Sequence, residues 1–216
     1  MTNNILQITH DYNDVKILDV ELRYQGFCCV EKYTLQTRLF SGEWSTPYTR
    51  EIITKRFAVA ALPYDPILDR VVLIEQFRAG ALEQKDGTPW LLEVVAGLMD
   101  KDHAETPEDL IRREMQEEAG LEILELLPIY EYLVSPGILT ERIKLYCAKV
   151  DSSAAPQFCG LSQENEDIRL HVVSSADAFA AVRSGRINNS AAIIALQWLE
   201  LNLREVAKQF GVVVEK

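Results

Sequence analysis

Near its N-terminus the chain alternates apolar and polar residues with the two-residue period of β-strands. The segments VKILDVELRY and FCCVEKYTLQTRLF, within Val15–Phe40, predict two short strands. The stretch SGEWSTPYTR that follows is polar, and its Pro47 disfavours a continuous strand. We therefore predict a small antiparallel β-module over residues 1–48 and a second domain over residues 49–216.

The second domain interleaves strand patterns with helix patterns. Strands are predicted at Ile52–Leu62, Val71–Phe77, Trp90–Ala96, Ile123–Val134, Ile143–Val150 and Leu170–Val173. Helices are predicted at Thr106–Gly120, Ala176–Ser184 and Ala191–Phe210. This order predicts an α/β or α+β fold with a mixed β-sheet between helices.

The clearest helix signal begins at Thr106. Thr106 is a good N-cap, Pro107 suits the first helical position, and Asp109 can complete a capping box. Gly120 is a natural residue for the end of the helix, because glycine adopts the left-handed conformation without strain. The caps therefore predict both ends of this helix.

Composition narrows the class of protein. The chain has 216 residues, and its 33 acidic and 22 basic residues give a net charge of −11, which disfavours a long nucleic-acid groove. Its 48% hydrophobic and 25% charged residues are typical of a globular protein. The four cysteines lack zinc-site spacing, and no signal peptide or membrane-spanning apolar run is evident. We predict a cytoplasmic protein with reduced thiols that binds neither nucleic acid nor membrane.

Two carboxylates interrupt the apolar stripe of the capped helix. Glu114 and Glu118 are one turn apart, on the face that also carries Leu110, Ile111 and Met115. Burying two like charges is unfavourable unless protonation, an arginine or a divalent cation compensates them. A cation such as Mg²⁺ or Mn²⁺ is the most direct solution. A solvated acidic helix with loose apolar contacts is the alternative, and the periodicity alone leaves both open.

A longer string of residues around this helix carries a family resemblance. It consists of Gly97, Glu105, Arg113-Glu114-Met115, Glu117-Glu118 and Gly120-Leu121. The string resembles the Nudix box, G-x5-E-x7-R-E-U-x-E-E-x-G-U, in which U is apolar. Every position matches from Glu105 onward. Between Gly97 and Glu105 there are seven residues instead of five, so the effect of a two-residue insertion on this loop stays open.

Further segments are similar to the ADP-ribose pyrophosphatase branch of that family. They are LLEVVAG before the box, Ser135-Pro136-Gly137, QENEDI at Gln163–Ile168, REI at Arg50–Ile52, EQFR ending at Arg78, and IALQWL near the C-terminus. The resemblance extends over about residues 20–205. It implies an α/β/α sandwich with a mixed β-sheet, and a homodimer whose subunits exchange the N-terminal β-module.

The resemblance also implies a metal site. Glu114 and Glu118 match the metal-binding pair of the family, and the backbone carbonyl of Ala96 and the later Glu166 match its other ligands. The implied cofactor is Mg²⁺, with Mn²⁺ as a possible substitute. The sequence leaves the number of ions open.

Catalytic roles are implied for four residues. In this branch the general base comes from the acidic loop after the box, where Glu164 is the matching residue, and Glu117 is the alternative. Arg113 and Glu105 match a pair that orients the box helix. Each assignment has a simpler alternative: a solvated surface for the acidic loop and an ordinary surface ion pair for Arg113 with Glu105.

Substrate contacts are implied for four more residues. Arg50 and Arg78 match arginines that would contact the diphosphate or the base, and guanidinium groups suit such oxygens. Phe27 could stack on adenine from the partner subunit, or it could be a core residue. Glu141 could accept ribose hydroxyls.

The activity implied by the resemblance is Mg²⁺-dependent hydrolysis of ADP-ribose to AMP and ribose 5-phosphate. One alternative is a pyrophosphatase for GDP-mannose or another nucleoside diphosphate sugar. Another is a non-catalytic nucleotide-sugar sensor, which the presence of all the box acids disfavours. RNA cap hydrolysis is disfavoured by the net charge of −11 and the lack of a basic stripe. The physiological substrate stays open.

Overall fold

The chain forms two compact units in a computed structural model. The residues that the structure describes are 6–54, 57–84, 87–99 and 105–212. One unit contains the described residues up to 54 together with Leu133–Glu141, and the other contains the rest.

The first unit is built on a three-stranded antiparallel sheet. Its strands are β1 (Val15–Gln25), β2 (Cys29–Thr37) and β3 (Tyr48–Thr54), in the order β1-β2-β3. Because β3 pairs with β2, this unit extends beyond residue 48, where the polar stretch suggested a boundary. Ile53 exchanges hydrogen bonds with the later segment: its N–H donates to the carbonyl of Ile138 (2.8 Å), and its own carbonyl accepts from the N–H of Thr140 (3.1 Å).

The second unit contains a mixed eight-stranded sheet. Its strands are β4 (Ala58–Asp65), β5 (Arg70–Phe77), β6 (Trp90–Glu93), β7 (Val95–Leu98), β8 (Glu125–Leu133), β9 (Arg142–Lys149), β10 (Phe158–Cys159) and β11 (Ile168–Ser174). The order is β10-β11-β5-β4-β9-β8, with β6 on β5 and β7 on β4. β4 and β9 are parallel, whereas β5 is antiparallel to β4, β6 and β11. The prediction of a mixed sheet is therefore confirmed.

The strand predicted at Trp90–Ala96 is two strands in the structure. β6 pairs with β5, and β7 pairs with β4. The chain changes partner at Val94, which lies between them. A run of apolar residues does not show such a change, because it depends on which strands lie alongside.

Three helices cover the two faces of this sheet. They are α1 (Pro107–Ala119), α2 (Ser175–Arg183) and α3 (Ser190–Gln209). α1 packs on the face that carries Val59 and Val72, whereas α2 and α3 pack on the face that carries Leu62 and Leu73. This arrangement is the α/β/α sandwich that the resemblance implied. None of the helices in the described ranges has the length and apolar character of a membrane span.

The ends of α1 are fixed by the predicted caps. The Thr106 hydroxyl accepts a hydrogen bond from the Asp109 N–H, and the Asp109 carboxylate accepts one from the Thr106 N–H, each at 3.2 Å. Gly120 ends the helix in the left-handed region, with φ of 62°. Both caps confirm the prediction, and they fix which side chains α1 turns toward the sheet.

Candidate active site

The sheet-facing side of α1 carries two carboxylates among apolar side chains. Leu110, Ile111 and Met115 are fully buried there. Glu118 is only 3% exposed, and the side chain of Glu114 is 15% exposed. The helical periodicity therefore located both acids correctly. The alternative of a solvated acidic helix with loose contacts does not hold for this face.

Glu118 is held against strand β7. Its Oε2 accepts a hydrogen bond from the backbone N–H of Ala96 at 3.1 Å. Burial raises the pKa of Glu118 to about 8, the Ala96 N–H opposes that shift, and the charges of Glu114 and Glu166 add to it. Its ionised form is therefore poorly compensated by the protein alone.

Glu114 lies directly against the backbone of β7. A Cβ atom at Gly97 would be 2.4 Å from Cγ and Oε1 of Glu114, so a side chain at Gly97 would occupy the place of this carboxylate. Burial raises the pKa of Glu114 to about 7; the charge of Arg113 opposes the shift, and the charges of Glu117 and Glu166 add to it. Gly97 thus provides the space in which the second buried acid sits.

Arg113 connects three carboxylates at the edge of this site. Its Nη2 is 3.0 Å from Glu114 Oε1, its Nη1 is 2.6 Å from Glu117 Oε2, and its Nε is 3.3 Å from Glu105 Oε1. Burial alone would lower the pKa of Arg113. The three carboxylates outweigh that effect and raise the pKa above its ordinary value, so the guanidinium stays charged. The contact with Glu105 is thus one part of a network. Glu117 points its carboxylate toward Arg113.

The acidic loop, defined here as residues 160–167, brings Glu166 toward α1. Glu166 is half-buried, and its charge contributes to the raised pKa of both Glu114 and Glu118. Glu164 ends a short turn at Ser162–Glu164 and is exposed. The loop therefore presents one acid to the buried pair and a second acid to solvent.

Arg78 is anchored by a residue that the sequence did not single out. The Arg78 Nε donates to Glu93 Oε2 at 2.7 Å, and the buried Gln76 donates to the same oxygen at 3.3 Å. Glu93 pairs across the strands with Ile74, whose side chain packs on the α1 face of the sheet. The charge of Arg78 lowers the pKa of Glu118, so it acts on the same site. The sequence does contain a signal for Glu93, since it is an acidic residue within the otherwise apolar string LLEVVAG.

Three predicted substrate contacts lie in the first unit. Arg50, on β3, donates from Nη1 to the Thr49 carbonyl at 2.8 Å, and its guanidinium lies 4.7 Å from the ring centre of Tyr48. Phe27 lies between β1 and β2 and is 89% exposed, which is not the exposure of a core residue. The Glu141 carbonyl accepts from the Val134 N–H at 3.2 Å. The other predicted site residues lie in the second unit.

The donors around the buried pair fit a hard divalent cation. They are carboxylate oxygens, and burial and mutual repulsion disfavour their ionised forms, which a bound cation would stabilise. Within the ranges that the structure describes, no three His, Cys, Asp or Glu side chains already stand together as a complete ligand set. The predicted two-residue insertion between Gly97 and Glu105 falls on a loop whose residues 100–104 lie outside the described ranges.

Comparisons with known proteins show similarity along most of the chain. A family model described as the NUDIX domain matches residues 54–201. The chain is 45% identical over 206 residues to an ADP-ribose pyrophosphatase of Escherichia coli strain K12, covering 95% of this chain and 97% of the relative. A protein of the same description from Haemophilus influenzae is 40% identical, covering 91% of each. A GDP-mannose pyrophosphatase of Yersinia pestis is 30% identical, covering 87% of this chain and 92% of the relative.

A solved structure supports the fold. A crystal structure described as an ADP compounds hydrolase superposes with a TM-score of 0.69, covering 95% of this chain and 100% of the other, at 20% identity. At that identity the likeness concerns the fold. With a family model across more than half of the chain and relatives over nearly all of it, the chain belongs to the Nudix hydrolase family.

Proposed function

We propose that this protein hydrolyses the diphosphate of ADP-ribose to AMP and ribose 5-phosphate, with Mg²⁺ as cofactor and Mn²⁺ as a substitute. The observation that carries the proposal is the buried pair Glu114 and Glu118 on a capped helix against β7. The relatives at 40–45% identity, both described as ADP-ribose pyrophosphatases, support the choice of substrate.

The carboxylates of Glu114, Glu118 and Glu166 and the carbonyl of Ala96 are the groups we assign to the metal site. When bound there, divalent ions would neutralise the diphosphate charge and lower the pKa of a water molecule. The protein orients its own ligands: the Ala96 N–H fixes Glu118, and Arg113 restrains Glu114. Ligands fixed in advance need not reorganise when the substrate arrives.

We assign the general base to Glu164. Water attacks one phosphorus atom of the diphosphate, the bond from that phosphorus to the bridging oxygen breaks, and the base receives the proton of the water. Glu164 is exposed on the acidic loop, and Glu166 of the same loop faces the buried pair, which supports this assignment. Glu117 is the weaker candidate because its Oε2 lies 2.6 Å from a guanidinium nitrogen of Arg113.

For the substrate, we propose that Arg78 contacts the diphosphate, with Glu93 holding its guanidinium in place. The roles of Arg50 at the diphosphate or base, of Glu141 at the ribose and of Phe27 at the adenine stay predictions from the resemblance. Cytoplasmic location likewise stays a prediction from composition.

The substitution Glu164→Gln tests the base. We expect the turnover of ADP-ribose to fall by about 100-fold or more, because a positioned base contributes about that much, while Mn²⁺ affinity stays within about twofold of wild type. Asp167→Asn, which removes another exposed acid of the same loop, is the matched control and should keep near-normal turnover. Wild-type turnover in Glu164→Gln would reject this assignment.

A second candidate substrate is GDP-mannose, because a relative of that description is 30% identical over most of the chain. Product analysis with ADP-ribose, GDP-mannose and other nucleoside diphosphate sugars, each with and without Mg²⁺, separates the two. A clear preference for GDP-mannose would replace the proposed substrate. Tight binding without cleavage of any of them would favour the sensor function, which the four retained acids Glu105, Glu114, Glu117 and Glu118 argue against.

We also propose that the protein is a homodimer formed through its first unit, with the β-module exchanged between subunits. The long strand β1 exposes a series of large apolar side chains: Ile17, Leu18, Val20, Leu22 and Tyr24. A series of exposed apolar side chains along the outer strand of a sheet is typical of a surface that another chain covers.

A further inference from the structure

We propose that Gly160 is a positioning residue that joins the acidic loop to the end of α1 and so sets where Glu164 and Glu166 stand. The inference rests on the proposed function for what these two acids do. Three observations on the loop support it: a hydrogen bond to the helix, hydrogen bonds within the loop itself, and a close backbone approach that only glycine allows.

The first observation is the bond between loop and helix. The Gly160 N–H donates to the backbone carbonyl of Glu117 at 3.2 Å. This carbonyl lies in the last turn of α1, where carbonyls have no partner within the helix. The bond therefore satisfies the helix end and ties the start of the acidic loop to it. That helix also carries Glu114 and Glu118.

The second observation is that the loop closes on itself directly after Gly160. The Leu161 carbonyl accepts from the N–H groups of Glu164 (2.9 Å) and Glu166 (3.1 Å). The Leu161 N–H in turn donates to the Glu166 carboxylate at 3.4 Å. Because both acids are bonded to Leu161, a shift of the attachment point at Gly160 would move them together.

The third observation is the close approach at Gly160. Its φ is +100°, a conformation that side chains disfavour. A Cβ atom there would lie 2.8 Å from the backbone oxygen of Glu166 and 3.0 Å from its Cβ. These atoms of Glu166 cannot move aside as easily as the end of a flexible side chain. An added methyl group would therefore push Glu166 away or break the bond to Glu117.

Together these contacts fix the acidic loop relative to α1, and with it the positions of the metal ligands that we assign to these two elements. The sheet-facing side of α1 supplies Glu114 and Glu118, and its last turn holds the loop that supplies Glu166. The charge of Glu166 already acts on both helix acids. Small displacements of such groups have large effects on binding and turnover, so the attachment point matters although it carries no side chain.

The test compares Gly160→Ala with Gly185→Ala. Gly185 also has positive φ (+77°), but nothing lies within 4 Å of the Cβ it would gain, so it reports the conformational strain alone. We expect Gly160→Ala to bind Mn²⁺ about tenfold or more weakly than wild type, and to lose turnover. Gly185→Ala should match wild type in both. Both metal-free variants should still unfold cooperatively, so the comparison of Mn²⁺ affinities is between folded proteins. Equal Mn²⁺ affinity in all three proteins would overturn the proposal.

Amide hydrogen exchange of the wild-type protein provides a second measurement that does not depend on any variant folding. The Gly160 N–H should be protected like the amides in the last turn of α1. Exchange at the rate of an unstructured chain would overturn the attachment, whatever the enzyme hydrolyses. A protected amide in a wild type that binds no Mn²⁺ would instead reject the proposed function, and with it the role of the attachment.

Discussion

At the scale of single residues, neighbouring glutamates on α1 have different surroundings. Glu118 is buried with one backbone donor, whereas Glu117 is paired with Arg113 at the edge. Because successive residues of a helix point to different sides, Glu118 faces the site where a cation would bind, whereas Glu117 is held by Arg113. The chemistry of the site follows from this difference in burial.

The pH dependence of stability in the metal-free protein tests that burial. The pKa of Glu118 lies near 8 in the folded chain, above its ordinary 4.5, so between these values the folded state holds a proton that the unfolded chain has released. Stability should therefore be highest near pH 5 and fall as pH rises through 8, by up to about 1.4 kcal/mol per pH unit for one proton. Urea unfolding in EDTA measures this.

Glu118→Gln is the matched variant for that measurement. It should flatten the dependence, because the amide does not titrate, and it should raise stability at pH 8 in EDTA. Metal-free stability that rises between pH 6 and pH 8 in the wild type, with no change in the variant, would contradict the burial described here.

Sequence reasoning reached some residues and missed others for identifiable physical reasons. Glu114 and Glu118 were found because helical periodicity is a local property, readable from the order of residues. Glu93 and Gly160 were missed because their importance depends on which strand lies beside β6 and on how the acidic loop meets α1. Such contacts join residues far apart in sequence, and no local pattern records them.

At the scale of elements, α1 and β7 form the site together. The caps determine where α1 begins and ends, and β7 supplies the Ala96 N–H and the space at Gly97. The caps were predictable because a capping box is a short-range signal. The separation of β6 from β7 was not predictable, because it depends on two other strands, β5 and β4.

Removing the N-cap of α1 should lower both the stability of the protein and its affinity for metal. Thr106→Ala should lower the free energy of unfolding by about 1 kcal/mol, because an N-cap side chain contributes about that much. It should also weaken Mn²⁺ binding, since α1 carries two of the assigned ligands. Ser174→Ala removes the equivalent cap of α2, whose Oγ accepts from the Asp177 N–H at 3.1 Å, and should cost similar stability without affecting Mn²⁺. Equal Mn²⁺ affinity in both variants would show that the α1 cap serves stability alone.

At the scale of the whole molecule, the mixed sheet has α1 on one face and α2 and α3 on the other, and the buried pair Glu114 and Glu118 lies between α1 and the sheet. The alternation of strands and helices was enough to predict this layered class. The extent of the first unit was harder to predict. Leu133–Glu141 joins it through hydrogen bonds to β3, which come from a distant part of the chain.

The proposed dimer is tested by mass. In light scattering at micromolar concentration we expect twice the 24.5 kDa of one chain. Leu22→Lys, at a β1 residue that is 57% exposed, should shift the mass toward one chain, because a charge on a covered apolar face is unfavourable. Leu201→Lys, at an 85% exposed residue of α3, is the control and should leave the mass unchanged. A wild type with the mass of one chain would reject the dimer.

The change of partner strand at Val94 makes the enzyme sensitive to the length of chain around it. Glu93, which precedes Val94, holds Arg78, the residue assigned to the phosphates. Ala96, which follows Val94, holds Glu118, an acid assigned to the cations. Gain or loss of one residue in this short span would turn one of these groups to the opposite side of the sheet. Neighbouring side chains can repack around a substitution in this span. The insertion or deletion of a single residue should instead impair either the binding of the anion or the binding of the metal, and leave the other intact.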